Sequence, residues 1–408
     1  MRSLFRSLRS LLTVAVAMAL MLTAAPGALA KDVVHLKDGT VLEGTIKREV
    51  GGAIFLVIKI GDLTHEKIIP ADEIKSIERD IAVPGEEPTA ETPVIPAGAT
   101  KIAFITLEEM VGPFFNAKAM EHSVGLLDEL PEEQRPDIIV FQINSGGGAL
   151  IEQHRIIEYL RDEVKPRYRA VAWIDSAISA AAMSAWVLDE IYMMKQGNIG
   201  ACTGFRNLAG GTEAMEGVEL ERELMWMEQV SGWGKRDPYV MRAMQVYMTL
   251  SADIEEDGDV VWYDDDSGEY MVSPQDQILT FHSHDAVKFG VAEAVVDTKE
   301  ELARALGCEE WVEVGFEADE YQQEFRENVG RAQVKLNELG NKLQLAVSAA
   351  QGAPSADERN RQVGVARRYL REMKGWVNRA PSLENPDPWP YSPSWFRDID
   401  RQLRDLAR

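Results

Sequence analysis

From Lys101 onward, short apolar segments alternate with segments that have helical spacing. Strands are expected at 102–105, 137–143 and 170–174, and helices at 117–130, 151–160 and 177–188. Strands that alternate with helices of this length favour a parallel sheet with crossover helices, which is an α/β fold. The unit is expected to close near Gly307, so a domain is predicted at 101–307.

One segment of this domain, 253–276, interrupts the alternation. Two strand-like runs, 260–263 and 269–272, flank the acidic turn 264–268, which predicts an inserted hairpin. Clustered aspartates could bind calcium, but their spacing does not match the ordered calcium loop. A solvated acidic turn is the preferred interpretation, and no metal site is predicted.

The N-terminus has the order of a secretory signal. Arg2, Arg6 and Arg9 precede an uncharged stretch at 11–22, which is short for a membrane span, and Ala28-Leu29-Ala30 follows. We expect a signal peptide at 1–30, with an uncleaved anchor helix as the alternative. The mature chain is then expected to be exported, periplasmic or otherwise extracytoplasmic, and soluble.

Residues 31–80 have five strand-like runs separated by tight turns. This predicts a small closed barrel of the SH3-like or Sm-like kind, because closure removes exposed strand edges. Either a docking role or a purely stabilising role fits it. The next segment, 81–100, contains four prolines among polar and small residues and is predicted to be a linker.

The C-terminal segment 308–408 is predicted to be a helical, coiled-coil-like tail. Apolar residues recur there at spacings of four and three, namely Phe325, Val329, Ala332, Leu336, Leu339 and Leu343. Such a seam packs against another helix, so we expect a homo-oligomer.

Charge and cysteine content limit the possible partners. The formal net charge is −24, which disfavours nucleic acid and anionic membrane surfaces because like charges repel. A membrane protein remains a possible partner. Cys202 and Cys308 allow one bridge or two buried thiols, and the second is preferred.

The first motif that could carry chemistry is a glycine-rich turn after the second strand of the α/β domain. It runs from Asn144 to Gly148, as Asn-Ser-Gly-Gly-Gly, and a helix is expected to follow. Ligands bind at strand ends in such sheets, and glycines leave backbone N–H groups free to face an oxyanion. A plain tight turn is the alternative, and the sequence has no Lys-Ser/Thr that would support a phosphate loop.

The second motif follows the next strand. Ser179 lies among small residues, within Asp175-Ser-Ala-Ile-Ser-Ala-Ala-Ala-Met-Ser184. A serine at a helix start with small neighbours leaves room for a substrate backbone. Capping by Ser176 and tight helix packing by the alanines is the alternative.

Together, the glycine turn, the Ser179 helix and Gly197-Asn-Ile-Gly200 resemble the Clp protease proteolytic subunit and crotonase-like superfamily. Within it, the chain is most similar to signal peptide peptidase A and the NfeD-type serine proteases. The resemblance covers 101–307 and implies a repeated ββα core, a polypeptide substrate and no cofactor. It implies Ser179 as nucleophile, with an oxyanion hole formed at Gly147, Gly148 and Ala180.

The general base that this resemblance requires is not evident. A serine hydroxyl needs a His or Lys to accept its proton. Phe205 and Arg206 occupy the region where the Clp subunit has its His, and 217–222 contains no Lys. Lys235 is the remaining candidate, although a surface loop lysine is the preferred interpretation. His282 and His284 come late and are expected to cap or pack in a helix start.

Two functions are therefore open. The first is an exported serine endopeptidase, and the second is a catalytically silent member whose groove binds peptides. Acyl-coenzyme A chemistry on the same fold is disfavoured in an exported chain, where that cofactor is not expected.

Overall fold

The structure is a computed structural model, and it describes residues 32–37, 40–50, 53–60, 63–69, 74–78, 95, 96, 98–208, 211–384 and 390–407. It divides into two compact units, which separate between Val94 and Ile95. The signal peptide predicted at 1–30 and most of the linker predicted at 81–100 lie outside the described residues. No helix in the described residues is both long enough and apolar enough to cross a membrane.

The first unit contains one antiparallel sheet with the strand order β4-β3-β2-β1-β5. Its core residues Val34, Leu36, Ile54, Leu56 and Ile69 are buried. The strands are Asp32–Leu36 (β1), Val41–Val50 (β2), Ala53–Ile60 (β3), Leu63–Ile69 (β4) and Ile74–Glu78 (β5). The described pairings do not join β4 to β5, so closure into a barrel stays a prediction.

The second unit is built on a seven-stranded sheet with the order β15-β9-β8-β7-β6-β17, and β16 also pairs with β9. Its strands are Thr100–Glu108 (β6), Ile138–Ser145 (β7), Arg169–Ile178 (β8), Glu190–Gly200 (β9), Thr280–His282 (β15), Ala294–Val295 (β16) and Trp311–Glu313 (β17). The four central strands pair in parallel. The predicted mixed α/β architecture with a parallel sheet is therefore confirmed.

The helices of the second unit connect and cover this sheet. They are Ala117–Asp128 (α1), Leu150–Tyr159 (α2), Ala180–Ala185 (α3), Gly217–Trp233 (α4), Pro238–Gln245 (α5), Ser283–Lys288 (α6), Lys299–Ala305 (α7), Phe316–Gln351 (α8), Ala356–Arg379 (α9) and Pro393–Leu406 (α10). Helices α1, α2 and α3 connect the four central strands in sequence. Because these strands are parallel, their C-terminal ends lie together at one end of the sheet.

Apolar side chains on the two faces of the sheet enter separate cores, because successive strand residues point to opposite sides. Ile105 and Phe141 pack with the α1, α2 and α3 side. Phe104 and Trp173 pack on the other face with Leu302 of α7. Burial on both faces explains why these strands are almost continuously apolar.

The edge of β6 beyond its short pairing with β17 is closed by side chains of α8. The Thr106 N–H donates to Asp319 Oδ1 at 2.7 Å. Arg326 Nη1 donates to the Thr106 carbonyl at 2.6 Å, and its other terminal nitrogen lies 3.3 Å from Glu108. Backbone groups that would otherwise lie unpaired at a sheet edge are thereby satisfied.

The C-terminal helices α8, α9 and α10 share an apolar core of their own. Val329, Ala332, Leu336, Leu339 and Leu343 are buried in it. These positions belong to the heptad pattern, and they pack against other helices of the same chain.

The inserted segment has a different pairing from the predicted one. Leu250–Ile254 (β12) pairs on one side with Val260–Tyr263 (β13) and on the other with Tyr270–Ser273 (β14). The acidic turn at 264–268 packs directly against β12. A Cβ added to Gly268 would lie only 2.6 Å from the backbone nitrogen of Ala252 in β12. The predicted hairpin is therefore wrong in its pairing, because β12 lies between its two strands. A short remaining pair, Phe205–Leu208 (β10) and Gly211–Ala214 (β11), forms a separate hairpin.

Candidate active site

Ser179 lies at a sharp junction between β8, which ends at Ile178, and α3, which begins at Ala180. Its backbone has φ +56° and ψ −127°, which a residue with a side chain rarely adopts and which costs about 1–3 kcal/mol. The junction is fixed on both sides, because the Ser179 N–H donates to Gly200 O at 2.9 Å and its carbonyl accepts from Met183 N at 3.0 Å. Strain at a strand-to-helix turn is how a nucleophilic serine is presented in some hydrolases.

The glycine turn lies directly against this junction. A Cβ on Gly147 would lie 2.6 Å from the Ser179 Cβ and 2.7 Å from the Ile178 carbonyl oxygen, and Gly147 has φ +90°. Only glycine fits there. Gly147 and Ser179 are 32 positions apart in the sequence, and the fold brings them into contact because β7 and β8 are neighbouring parallel strands.

The backbone of the turn is held by Val111. The Val111 N–H donates to Gly147 O at 2.9 Å, and Ala149 N–H donates to Val111 O at 3.0 Å. In this parallel bridge the N–H of Gly148, the residue between them, points away from Val111. Gly148 is exposed and has no side chain to cover that N–H group.

The three residues predicted for the oxyanion hole differ in what they can donate. Gly147 N–H already donates to Ser145 Oγ at 3.2 Å, so the prediction of Gly147 as a donor is corrected. Gly147 instead allows the backbone of the turn to lie in close contact with Ser179. Ala180 is the first residue of α3, so its N–H has no acceptor within the helix. The assignment of Gly148 and Ala180 as oxyanion donors stays a prediction.

Lys235 is not at this site. Its Nζ donates to Asp189 Oδ2 at 2.7 Å, and its side chain is 74% exposed. The hydrogen bond from Lys235 to Asp189 and the charge of that carboxylate raise the pKa of Lys235. A lysine that acts as a base needs its pKa lowered, so the change has the wrong sign.

The strand register also separates Lys235 from Ser179. Asp189 immediately precedes Glu190, which pairs with Val171 at the start of β8, whereas Ser179 follows Ile178 at its end. Val171 to Ile178 spans about 23 Å at about 3.3 Å per residue. Lys235 therefore lies near the N-terminal ends of the parallel strands, away from Ser179, so the candidate base Lys235 is excluded and the preferred interpretation, an exposed surface lysine, fits the structure.

Cys202 lies beneath the Ser179 junction. Its Sγ is 3.7 Å from the Ser179 carbonyl oxygen, and the side chain is fully buried. Burial raises the pKa of this thiol strongly, and the nearby Glu223 carboxylate raises it further. Cys202 is therefore an uncharged residue that packs beneath the Ser179 junction. The effect of Glu223 on the Cys202 pKa indicates that the Glu223 carboxylate is near this thiol.

Glu223 and His154 form a polar pair that the sequence reasoning missed. Glu223 is buried in α4, and its Oε2 accepts from His154 Nε2 at 2.9 Å. The His154 ring lies 5.0 Å from the Trp226 ring. A Lys or His downstream of Ser179 is what the family resemblance implies as the base, whereas His154 lies upstream of Ser179 and is paired with a Glu. The helical spacing of 151–160 predicts that His154 lies in a helix, but it does not indicate which residues of other elements the His154 side chain contacts.

His282 is the N-cap residue of α6 and His284 lies in its first turn, so both are at a helix start as expected. His282 makes no side-chain capping bond and both residues are exposed, so neither caps the helix with its side chain nor packs in the core. Within the described residues, no group of three or more His, Cys, Asp or Glu side chains could hold a metal ion.

Comparison with solved structures gives matches at low sequence identity. No family model and no curated protein matches the chain. Two mutants of the 1510-N membrane-bound stomatin-specific protease are 13% identical to it, with TM-scores of 0.38. They cover 51% of this chain and 84% and 80% of their own lengths, and the second is in complex with a substrate peptide.

A third structure is the 1510-N membrane protease specific for a stomatin homolog from Pyrococcus horikoshii. It is 12% identical, with a TM-score of 0.33, and covers 50% of this chain and 78% of its own.

Proposed function

We propose that this chain is an exported serine endopeptidase of the Clp protease class, nearest the NfeD-type and signal peptide peptidase A enzymes. Ser179 is its nucleophile. The observation that carries the proposal is the strained backbone of Ser179, at φ +56°, pressed against Gly147. A structure that needed only a helix start would use a glycine or a relaxed residue at this position.

In the proposed reaction, Ser179 Oγ attacks a peptide carbonyl carbon while its proton passes to a base. The carbonyl oxygen becomes an oxyanion that accepts hydrogen bonds from the N–H groups of Gly148 and Ala180. Each such donor contributes about 10²–10³ in rate in related cases. The C–N bond then breaks, the amine leaves with the proton, and water hydrolyses the acyl-enzyme.

Exposed apolar side chains near the turn support a polypeptide substrate. The Met110 side chain is 39% exposed and adjoins Gly148, where its Cγ would lie 3.0 Å from an added Cβ. Ile151, in the first turn of α2, is 58% exposed. Apolar groups beside backbone donors suit an extended peptide better than a small polar molecule.

A catalytically silent peptide-binding protein is the second candidate. The ion pair of Lys235 with Asp189 favours it, because that pair removes the one lysine that sequence spacing offered as a base. In this case the Ser179 junction and the glycine turn would bind a peptide without cleaving it.

A fluorophosphonate probe distinguishes the two candidates. We expect it to modify the natural protein at Ser179 and not to modify Ser179→Ala. Ser176→Ala is the matched control, because Ser176 lies three residues upstream and its hydroxyl donates to Asn198 Oδ1 at 3.0 Å. This variant should label like the natural protein. Absence of labelling in a folded natural protein would support the silent peptide-binding protein.

Location and assembly are part of the proposal. We propose export by the N-terminal signal at 1–30, and a soluble, periplasmic or otherwise extracytoplasmic mature chain. A homo-oligomer is proposed from the family resemblance, and a membrane protein partner is compatible with it. Sedimentation of the mature chain at micromolar concentration tests assembly, and a monomer would contradict it.

A further inference from the structure

A buried carboxylate with one unpaired oxygen lies in the first half of α4. Glu223 is 6% exposed, and while Oε2 accepts from His154, its Oε1 has no hydrogen-bond partner in the part of the chain that the structure describes. Leaving a buried acceptor unpaired costs about 1–3 kcal/mol, and more for a charged group. Such a group calls for an explanation other than packing.

Cys202 connects the Ser179 junction with the neighbourhood of Glu223. The thiol of Cys202 is in contact with the Ser179 carbonyl oxygen at 3.7 Å, and the Glu223 carboxylate is near enough to perturb that same thiol. Cys202 is thus a common neighbour of the proposed nucleophile and the unpaired carboxylate.

The packing of two helices leads to the same position. His154 contacts Glu223, and further along Arg161 lies 4.2 Å over the Trp233 ring, so α2 and α4 run in the same direction. α2 begins just after the glycine turn. The first turns of α4 therefore lie at the end of α2 that adjoins Gly148 and Ser179.

We propose that Glu223 is the general base of the Ser179 reaction and that His154 is the residue that positions it. This inference rests on the proposed function. It identifies the proton acceptor that Lys235 cannot be, and it uses the oxygen that the folded chain leaves unpaired.

The proton balance is simple. As the Ser179 Oγ–carbon bond forms, the hydroxyl proton passes to Glu223 Oε1 and the carbonyl π electrons move onto oxygen. When the tetrahedral intermediate collapses and the C–N bond breaks, that proton passes to the leaving amine. Glu223 then accepts a proton from the water that hydrolyses the ester and returns it to Ser179 Oγ.

His154 holds the carboxylate for this task. Its Nε2–H donates to Oε2, which leaves Oε1 as the accepting atom, and the Trp226 ring packs against the imidazole. A carboxylate that acts as a base only accepts hydrogen bonds, so in this role the His154 Nε2–H is the donor.

The test compares the rate of fluorophosphonate labelling at Ser179 in the natural protein and in Glu223→Gln, which keeps the shape and loses the basicity. We expect a fall of about 10²-fold or more, since general bases contribute about 10²–10⁴. Glu221→Gln is the matched control, because Glu221 is exposed on the same helix, and it should label normally. His154→Gln should lower the rate less, by about tenfold.

A purely structural role is separated by chemical rescue. In Glu223→Ala, added formate should restore labelling in a saturable manner and chloride should not, because only the carboxylate can accept the proton. Labelling of folded Glu223→Gln within threefold of the natural rate would refute the role of Glu223 while leaving Ser179 as nucleophile. A natural protein that is folded and never labels would refute the peptidase function and this inference together.

Discussion

Replacement of Gly147 by alanine tests the contact between the glycine turn and Ser179. The added Cβ would lie 2.6 Å from Ser179 Cβ and 2.7 Å from Ile178 O, which is backbone and cannot rotate away. A φ of +90° costs an alanine about 1–2 kcal/mol, and forcing an atom into a packed site costs about 1–3 kcal/mol. We expect a loss of about 2–5 kcal/mol in the free energy of unfolding.

Thermal melts followed by circular dichroism measure this loss. The unit Ile95–Arg408 is large, and at about 2.1 cal/mol/K per residue it loses roughly 1.5 °C in Tm per kcal/mol, so Gly147→Ala should melt at least about 3 °C lower. The labelling rate at Ser179 should fall as well, because the clash moves the nucleophile itself.

Gly125→Ala is the matched control. Gly125 lies within α1, and an added Cβ would meet nothing within 4 Å. Alanine is the better helix former by about 1 kcal/mol, so this variant should be neutral or more stable. If Gly147→Ala melted and labelled like Gly125→Ala, the close approach of the turn to Ser179 would be disproved.

Three further outcomes are expected. Lys235→Ala should label at Ser179 within twofold of the natural rate, because the Lys235–Asp189 ion pair lies near the other end of the parallel strands from Ser179. A loss of labelling like that of Ser179→Ala would show that Lys235 is the base. Leu336→Ala, at a buried position of α8, should lower the free energy of unfolding by about 2–5 kcal/mol in a denaturant titration. Leu345 is 70% exposed on the same helix, so Leu345→Ala should change this free energy by less than about 0.5 kcal/mol. Equal effects of the two substitutions would contradict the helix packing. Cys202 should resist iodoacetamide at pH 8 until the protein is unfolded, because burial and then Glu223 raise its thiol pKa, and rapid alkylation of the folded chain would show that the space beneath Ser179 is open.

The alternation of apolar and helix-patterned segments predicted the α/β architecture correctly, because each strand of the parallel sheet is buried on both faces. The boundary beside Ser179 was less predictable. A helix was expected from 177, but β8 continues to Ile178, where it pairs with Gly200 of β9. Small residues such as Ala177 suit either state, and tertiary pairing decides between them.

Site residues on the two neighbouring strand ends were predictable because parallel strands end at one edge. Lys235 could be offered as a candidate base only because spacing along the chain does not say at which end of the strands a residue lies. The Glu223 carboxylate was missed because its proximity to Ser179 depends on the parallel packing of α2 and α4, which no local pattern records.

Because side chains of α8 satisfy the exposed edge of β6, the catalytic-type domain cannot be truncated at the boundary predicted near residue 307. A fragment ending at residue 307 would lack Asp319 and Arg326 and would leave the Thr106 N–H and carbonyl without their α8 partners. Two further bonds, from Ser123 Oγ to Ala318 O and from Gln322 Nε2 to Ser123 Oγ, join α8 to α1. A free strand edge invites pairing between molecules. The first part of α8 therefore belongs to the minimal folding unit, and proteolysis that trims the tail past Arg326 should produce an aggregating fragment.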